Sequence, residues 1–353
     1  MTLSNIFFGK KVVQQAYLNN ALIYQSKGWE TLPSTCSEVW TKDYDKALSI
    51  FSIAKDDLDN LYIGSINSVY KIDSEGNLKW KYVISNAVKI TSIVVFPTYI
   101  YCSYEVPSSN PNFYDGYVAK IDVNGNLIST VDVNSLAPNS PADYFNDMQK
   151  DRNNIYAITQ LYLLKLNQDL KVIDNVDISS ATHNYPATRI ATNNGPYIFV
   201  GTTNNSFRLN KSNLKNNIDL SSTELGETFN ISSFKMDNIG NLYMGSFASP
   251  YVLKYDVETC KKITTFSAYM PYDICIDSQE SVYFAYDSNG SKLKKYSSDG
   301  TLIWDNIKIP VLDTSNNNDI RVITDSNNNI YVAYVDNNSN LAIKKFINLV
   351  KEN

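Results

Sequence analysis

Leu61-Tyr62-Ile63-Gly64 and, shortly after it, Val69-Tyr-Lys-Ile-Asp-Ser-Glu-Gly-Asn-Leu-Lys-Trp80 are the stretches whose recurrence decides the fold. The first is an apolar residue, an aromatic, any residue and usually a small one. It returns as Ile100-Tyr101-Cys102-Ser103, Ile155-Tyr156-Ala157-Ile158, Ile198-Phe199-Val200-Gly201, Leu242-Tyr243-Met244-Gly245, Val282-Tyr283-Phe284-Ala285 and Ile330-Tyr331-Val332-Ala333, seven copies in all. Each is followed by a strand with a basic residue between two apolar ones: Lys71, Lys120, Lys165, Arg208, Lys254, Lys295 and Lys345. Most of these strands end in a tight polar turn such as Asp73-Ser-Glu-Gly76-Asn77 or Asp122-Val-Asn-Gly125-Asn126, where glycine supplies the positive φ of a hairpin. The strand after the turn is expected to begin with Leu78, Leu127, Leu170, Leu214 or Leu302. Another strand precedes each aromatic motif, as in Ser52-Ile53-Ala54 or Arg321-Val322-Ile323. Four short antiparallel strands per unit, at a period of roughly 40–50 residues, are the pattern of propeller blades. The fold expected is all-β: a seven-bladed β-propeller of four-stranded antiparallel blades, preceded by an N-terminal β-hairpin.

Stacking explains the motif. Each blade packs against two neighbours, so its second strand is apolar on both faces, and a small fourth residue lets the sheets interlock near the axis. The tyrosines are read as structural. The basic series is read as laying its stems across a neighbouring sheet and releasing the charge at the rim. After Lys345 too little chain remains for a fourth strand, whereas Glu38-Val39-Trp40-Thr41-Lys42 resembles the outer strands around Trp80 and Trp304. Residues 37–44 are therefore expected to close the last blade and remove an open seam. The division that follows is a hairpin or attachment module over 1–30 and a propeller over 31–353.

Composition narrows the chemistry. The chain has 353 residues, a net charge of -5 and 43% hydrophobic against 19% charged residues, a surface rich in uncharged polar groups. With four arginines (Arg152, Arg189, Arg208 and Arg321) and no basic field, nucleic acid is not an expected partner. Cys36, Cys102, Cys260 and Cys275 lack paired spacing and read as free thiols. The first apolar stretch is broken by Lys10 and Lys11 and does not read as a signal peptide, and no run reaches a membrane span of about 18 residues. The expectation is synthesis in a cytoplasm with no membrane insertion. The lone His183, in a loop-like sequence, nearly excludes histidine triads and leaves no metal set; no cofactor is expected. Paired carboxylates from different blades stay open, since Asp and Glu total 36.

One series differs between blades. Counting four places back from the turn-opening residue of each first strand gives Ser52, Ser92, Asp147, Arg189, Ser233, Asp273 and Arg321, all polar. First strands line a propeller's channel, so these side chains would form one ring. Wet channel walls are polar without any ligand. The functional reading is a pocket in which Asp147, Arg189, Asp273 and Arg321, with Tyr144, Tyr185 and Tyr272, hold a saccharide by hydrogen bonds and stacking.

Residues 5–26 read as two strands joined at Asn19-Asn20. Their pattern, Phe-Phe-Gly-Lys-Lys-Val-x-x-Ala-Tyr-Leu-Asn-Asn-x-Leu-Ile-Tyr ahead of Gly28-Trp29, resembles the leading module of tail and baseplate proteins from phages of Gram-positive bacteria. The blades resemble those of quinoprotein and NHL-type propellers, but only Trp80, Trp304 and Trp40 match the docking tryptophans, so quinone binding does not carry over. Ser297-Ser-Asp-Gly-Thr-Leu-Ile-Trp304 is similar to a sialidase Asp-box with Gly and Thr displaced, and a sialidase would need an arginine triad. The phage resemblance implies a non-enzymatic virion component, a tail fibre or baseplate propeller. It would join other tail or baseplate proteins through the hairpin and offer a disc for host cell-wall saccharide or for tail assembly. The alternative is a cell-wall or capsule polysaccharide-degrading glycosidase or lyase.

Overall fold

The computed structural model describes residues 35–47, 49–110, 113–137, 144–182, 185–202, 206–220, 231–246, 251–287, 291–311 and 320–349, with the backbone of four short N-terminal strands. Seven four-stranded antiparallel sheets follow one another along the chain and make the seven-bladed all-β propeller. Their innermost strands are Ile50–Lys55, Lys89–Val95, Asp147–Lys150, Ala187–Thr192, Ile231–Met236, Pro271–Ile276 and Ile320–Thr324. Each innermost strand packs against the next, and Ile320–Thr324 meets Ile50–Lys55 to complete the ring.

Seven buried apolar clusters, one for each contact between neighbouring blades, take the place of a single core. The two faces of the second strand supply adjacent clusters: Leu61 and Ile63 pack toward blade seven, Tyr62 toward blade two. That division is why the strand must be apolar on both sides, and why a chain of this length folds without splitting into separate cores.

The repeated residues form one repeated contact. In every blade the basic residue lies directly across from the aromatic: Tyr62 from Lys71, Tyr101 from Lys120, Tyr156 from Lys165, Phe199 from Arg208, Tyr243 from Lys254, Tyr283 from Lys295 and Tyr331 from Lys345. The ammonium groups of Lys71, Lys254, Lys295 and Lys345 sit 5.0–5.4 Å from those rings. They do not release their charge at the rim as the sequence suggested. Lys71 donates to the Val123 carbonyl (3.2 Å), Lys120 to Gln168 (2.9 Å), Lys254 to Ser298 (3.1 Å) and Lys345 to Ser74 (3.1 Å), each in the outer turn of the next blade. Burial of the nitrogen favours a fixed carbonyl partner over a route to solvent. Five tyrosine hydroxyls in turn donate to the aspartate that opens their own inner turn, at 2.8–3.2 Å: Asp56, Asp151, Asp237, Asp277 and Asp325.

The outermost strand of blade seven is Thr35–Lys46, paired with Asn340–Leu349, with Trp40 opposite Lys345. Trp40 rests on Gly76 as Trp80 rests on Gly125; a Cβ on either glycine would lie 2.9 Å from the indole, and both glycines have positive φ. Leu170 departs from its expected place at the head of an outer strand. It occupies the turn itself at φ 58°, and the strand starts at Val172. Its buried side chain packs between blades two and three, which holds a non-glycine residue in the left-handed conformation.

Ahead of the ring, Phe7–Phe8 pairs with Lys11–Val12 and Gln15–Leu18 with Ala21–Gln25. The Asn19-Asn20 turn of the expected hairpin, and Gly28-Trp29, lie outside the described residues, as does His183.

Candidate functional site

The seven polar positions read from the sequence lie at one level of the channel. Each faces the fourth residue of its blade's aromatic motif across the first strand pair: Ser52 faces Gly64, Ser92 Ser103, Asp147 Ile158, Arg189 Gly201, Ser233 Gly245, Asp273 Ala285 and Arg321 Ala333. The small residue leaves room for the polar one: a Cβ on Gly245 would lie 2.3 Å from Ser233 Oγ, and one on Gly64 2.4 Å from Ser52 Oγ. In five blades a β-bulge falls immediately before the ring residue, between Ile50 and Ser52, Ile90 and Ser92, Ala187 and Arg189, Ile231 and Ser233, and Pro271 and Asp273. Bulges re-aim side chains near sites. Accordingly the adjacent residues Phe51, Thr91, Ser232 and Tyr272 line the same cavity as their ring neighbours.

All seven ring residues and Tyr272 line a cavity of about 150 Å³ at the end of the channel where the innermost strands begin. Tyr144 and Tyr185 do not line it. Several ring groups are committed to holding blades together. Asp147 accepts from Met148 N at 2.8 Å and, in the next blade, from Ile190 N at 3.1 Å. Asp273 accepts from Ile274 N at 2.9 Å and from Val322 N of the next blade at 3.0 Å. Ser92 donates to the Met148 carbonyl at 3.0 Å, and Arg321 Nε to the Phe51 carbonyl at 3.0 Å, across the seam between blades seven and one. Arg189 spends one guanidinium nitrogen on its neighbour's carbonyl, Thr188, at 2.9 Å.

The electrostatics are lopsided. Lys89, Arg189, Lys235 and Arg321 line the cavity against Asp147 and Asp273. Burial pushes the Asp147 carboxyl above its usual value, opposed by the Arg189 charge and the Ile190 amide. Lys89 is paired with Glu105 at 3.1 Å. The hydroxyls of Ser52, Ser232 and Ser233 are enclosed without a hydrogen-bond partner. Thr91 and Ser232 were not picked out by counting along the strands, because each sits in a bulge that breaks the two-residue alternation, and Lys235 was not because the count took one position per strand. Ser233 and Lys235, two apart on one strand, do share a face.

The opposite mouth of the channel holds about 560 Å³ and is lined by Asp237, Asp277, Glu280 and Asp325 with Lys55 and Lys235. Its aspartates are taken up by their own turns: Asp237 Oδ1 accepts from Asn241 N at 2.7 Å, Asp277 Oδ1 from Ser281 N at 2.8 Å and Asp325 Oδ1 from Asn329 N at 2.8 Å. Among the described residues no group of His, Cys, Asp and Glu gathers to hold a metal ion, and no helix is long and apolar enough to cross a membrane.

Exposed aromatics distinguish the two faces of the disc. Among the described residues Phe113, Tyr114, Tyr185, Tyr251 and Tyr269 are exposed. Every one lies between a second and third strand or on a connection into a new blade. In an up-and-down sheet those connections share one face of the ring, the face on which the 150 Å³ cavity opens.

Comparison with known proteins extends only to architecture. No family model and no curated protein matches the sequence. Among solved structures the chain is similar to virginiamycin B lyase from Staphylococcus aureus, at 11% identity and a TM-score of 0.66 over 88% of this chain and 98% of that one. A chain of the mitotic checkpoint complex matches at 11% identity and a TM-score of 0.66 over 96% and 99%. The WD40 domain of Pan2 from Neurospora crassa matches at 9% and 0.64 over 91% and 97%. These likenesses show the seven-bladed fold. They also correct the expectation of a non-enzymatic protein: the same ring carries a lyase, so the architecture gives no ground for setting catalysis aside.

Proposed function

We propose that this propeller binds saccharide at the aromatic-rimmed mouth of its channel, and that it does so as a tail-fibre or baseplate component of a phage infecting Gram-positive bacteria. The observation that carries the binding site is the convergence of Arg189, Arg321, Tyr272 and the ring serines on one cavity, on the face that also bears the exposed aromatics. Sugar rings stack on exposed tyrosines, and hydroxyl groups bond to fixed polar side chains. The cavity, at about 150 Å³, is smaller than the roughly 300–1,000 Å³ of sites that enclose a whole ligand. A glycan therefore lies across the face and sends one substituent into the mouth. The virion role rests on the resemblance of residues 5–26 to leading modules of phage tail proteins, with that segment joining the disc to other tail or baseplate proteins.

Arg189→Ala tests the site: its hydrogen bond to the Thr188 carbonyl stays within its own strand, so no hydrogen bond between blades is lost, although its charge no longer offsets the Asp147 carboxyl of blade three. The full chain is incubated with purified Gram-positive cell walls, and retention and reducing-end release are measured separately. Wild-type retention with at least a roughly tenfold loss in the variant, at an unchanged melting temperature, is expected for a charged hydrogen-bond donor. Equal retention of both proteins rejects the site. Sugar release by the wild type would assign chemistry to the same mouth. Absence of the chain from purified virions by mass spectrometry would reject the phage role.

A further inference from the structure

Lys235 is a cation shared by both ends of the channel. It lines the cavities at both ends, and among the described residues no hydrogen-bond or ion-pair partner is recorded for its ammonium. Its charge is felt by Asp147 on blade three and by Cys275 on blade six. Backbone amides hold both oxygens of Asp147 and of Asp273, and among the described residues neither carboxylate forms an ion pair with Lys235, whose charge acts on Asp147 from a distance. On the same strand Ser232 and Ser233 are 2% and 3% exposed, with hydroxyls that bond to nothing. An enclosed hydroxyl without a partner has given up its bond to water and gained none in return. Ser233 Oγ lies against Gly245, so a turn of its side chain about χ1 is what brings the hydroxyl to an acceptor in the cavity.

We propose that the channel mouth takes an oxyanion, the carboxylate or phosphate substituent of a surface glycan, between the Lys235 ammonium and the Ser232 and Ser233 hydroxyls, with Arg189 as the second cation. This rests on the saccharide-binding reading and names the class of sugar it selects. An anion answers the surplus of cations around the cavity and supplies acceptors for the orphaned hydroxyls. It also fits the volume: a charged substituent enters where a sugar ring is too large. A neutral glycan would leave the Lys235 ammonium with only the more distant Asp147 charge to offset it in a partly desolvated channel.

Three probes separate the cases: an oligosaccharide carrying glucuronic acid, a glycerol-phosphate oligomer and an uncharged N-acetylglucosamine oligomer, each titrated into the full-length protein by calorimetry. One or both anionic probes should bind at least about tenfold more tightly than the neutral one, with affinity falling as salt is raised. Carboxylate and phosphate sources are told apart by which of the two binds. Lys235→Met should remove roughly tenfold or more of that affinity, while Lys235→Arg, which keeps the charge, should retain most of it. If the neutral probe binds as tightly as the charged ones, and Lys235→Met changes nothing, the oxyanion assignment is overturned while the saccharide site stands. If no probe binds and Arg189→Ala has no effect on wall retention, the saccharide site fails and the assignment with it.

Discussion

Lys295 shows what a basic residue at the repeated position does. Its side chain and that of Asp277 are both fully buried, with the charges 3.8 Å apart. The ammonium also lies 5.1 Å from the Tyr283 ring and donates to Asn348 Oδ1 at 3.2 Å. Burial pushes this lysine below its usual pKa, opposed by Asp277. Truncating it strands a buried carboxylate, so Lys295→Met should lower the free energy of unfolding by about 3 kcal/mol in urea titrations. Lys79→Met, which breaks a pair whose lysine is 52% exposed, should cost under about 1 kcal/mol. Equal, small losses would mean that the basic series is not structural. The identity of these residues was readable because all seven copies carry a positive charge at one register. Their destination was not, because the accepting carbonyls belong to the next blade's turn, 44–52 positions away for four of the copies. Leu170 escaped for a related reason: the turn position elsewhere taken by Gly76, Gly125 and Gly300 is held here by packing between two sheets, which no local pattern reports.

Among the elements, Thr35–Lys46 carries the most consequence, since it is the only strand of blade seven drawn from the other end of the described ring. It supplies Trp40, which packs edge-on to Tyr331 at 6.0 Å and caps the Gly76 turn of blade one. Tyr44 donates to the Gly76 carbonyl at 2.9 Å, and Lys42 to the Glu75 carbonyl at 2.6 Å, so the strand joins blade seven to blade one as well as completing its own sheet. A chain lacking residues 1–46 would leave Asn340–Leu349 as an exposed edge and open the ring. Its melting temperature should fall by more than about 10 °C, or it should fail to fold, since a loss of several kcal/mol moves a domain of this size by some 2–4 °C for each kcal/mol. A melt unchanged from the full chain would contradict closure by this strand. The tryptophan at a matching offset made the strand legible. The innermost strands were less so: polar spacing located the ring residues, but the bulges that turn Ser232, Thr91 and Tyr272 toward the same cavity leave no periodic trace.

At the scale of the whole molecule, what repeats and what varies have separate tasks. The aromatic and basic series, the turn aspartates and the seven interblade clusters build the disc. They are nearly alike in every blade, so they cannot give one position on the rim a meaning another lacks. Asymmetry enters at the channel, where Asp147, Arg189, Asp273 and Arg321 replace serines, and at the face where Phe113, Tyr114, Tyr185, Tyr251 and Tyr269 emerge. The structure divides the ring residues further than their polarity suggested. Asp147, Asp273, Ser92 and Arg321 bond neighbouring blades to one another, whereas Arg189, with Lys235 outside the ring series, is proposed to meet a ligand. The direct measurement is a crystal structure of the full-length protein grown with a uronic-acid or glycerol-phosphate oligomer. The account predicts density across the aromatic face with a carboxylate or phosphate seated between Arg189 and Lys235. Ligand density found only elsewhere on the disc, with the channel mouth empty at saturating oligomer, would contradict it.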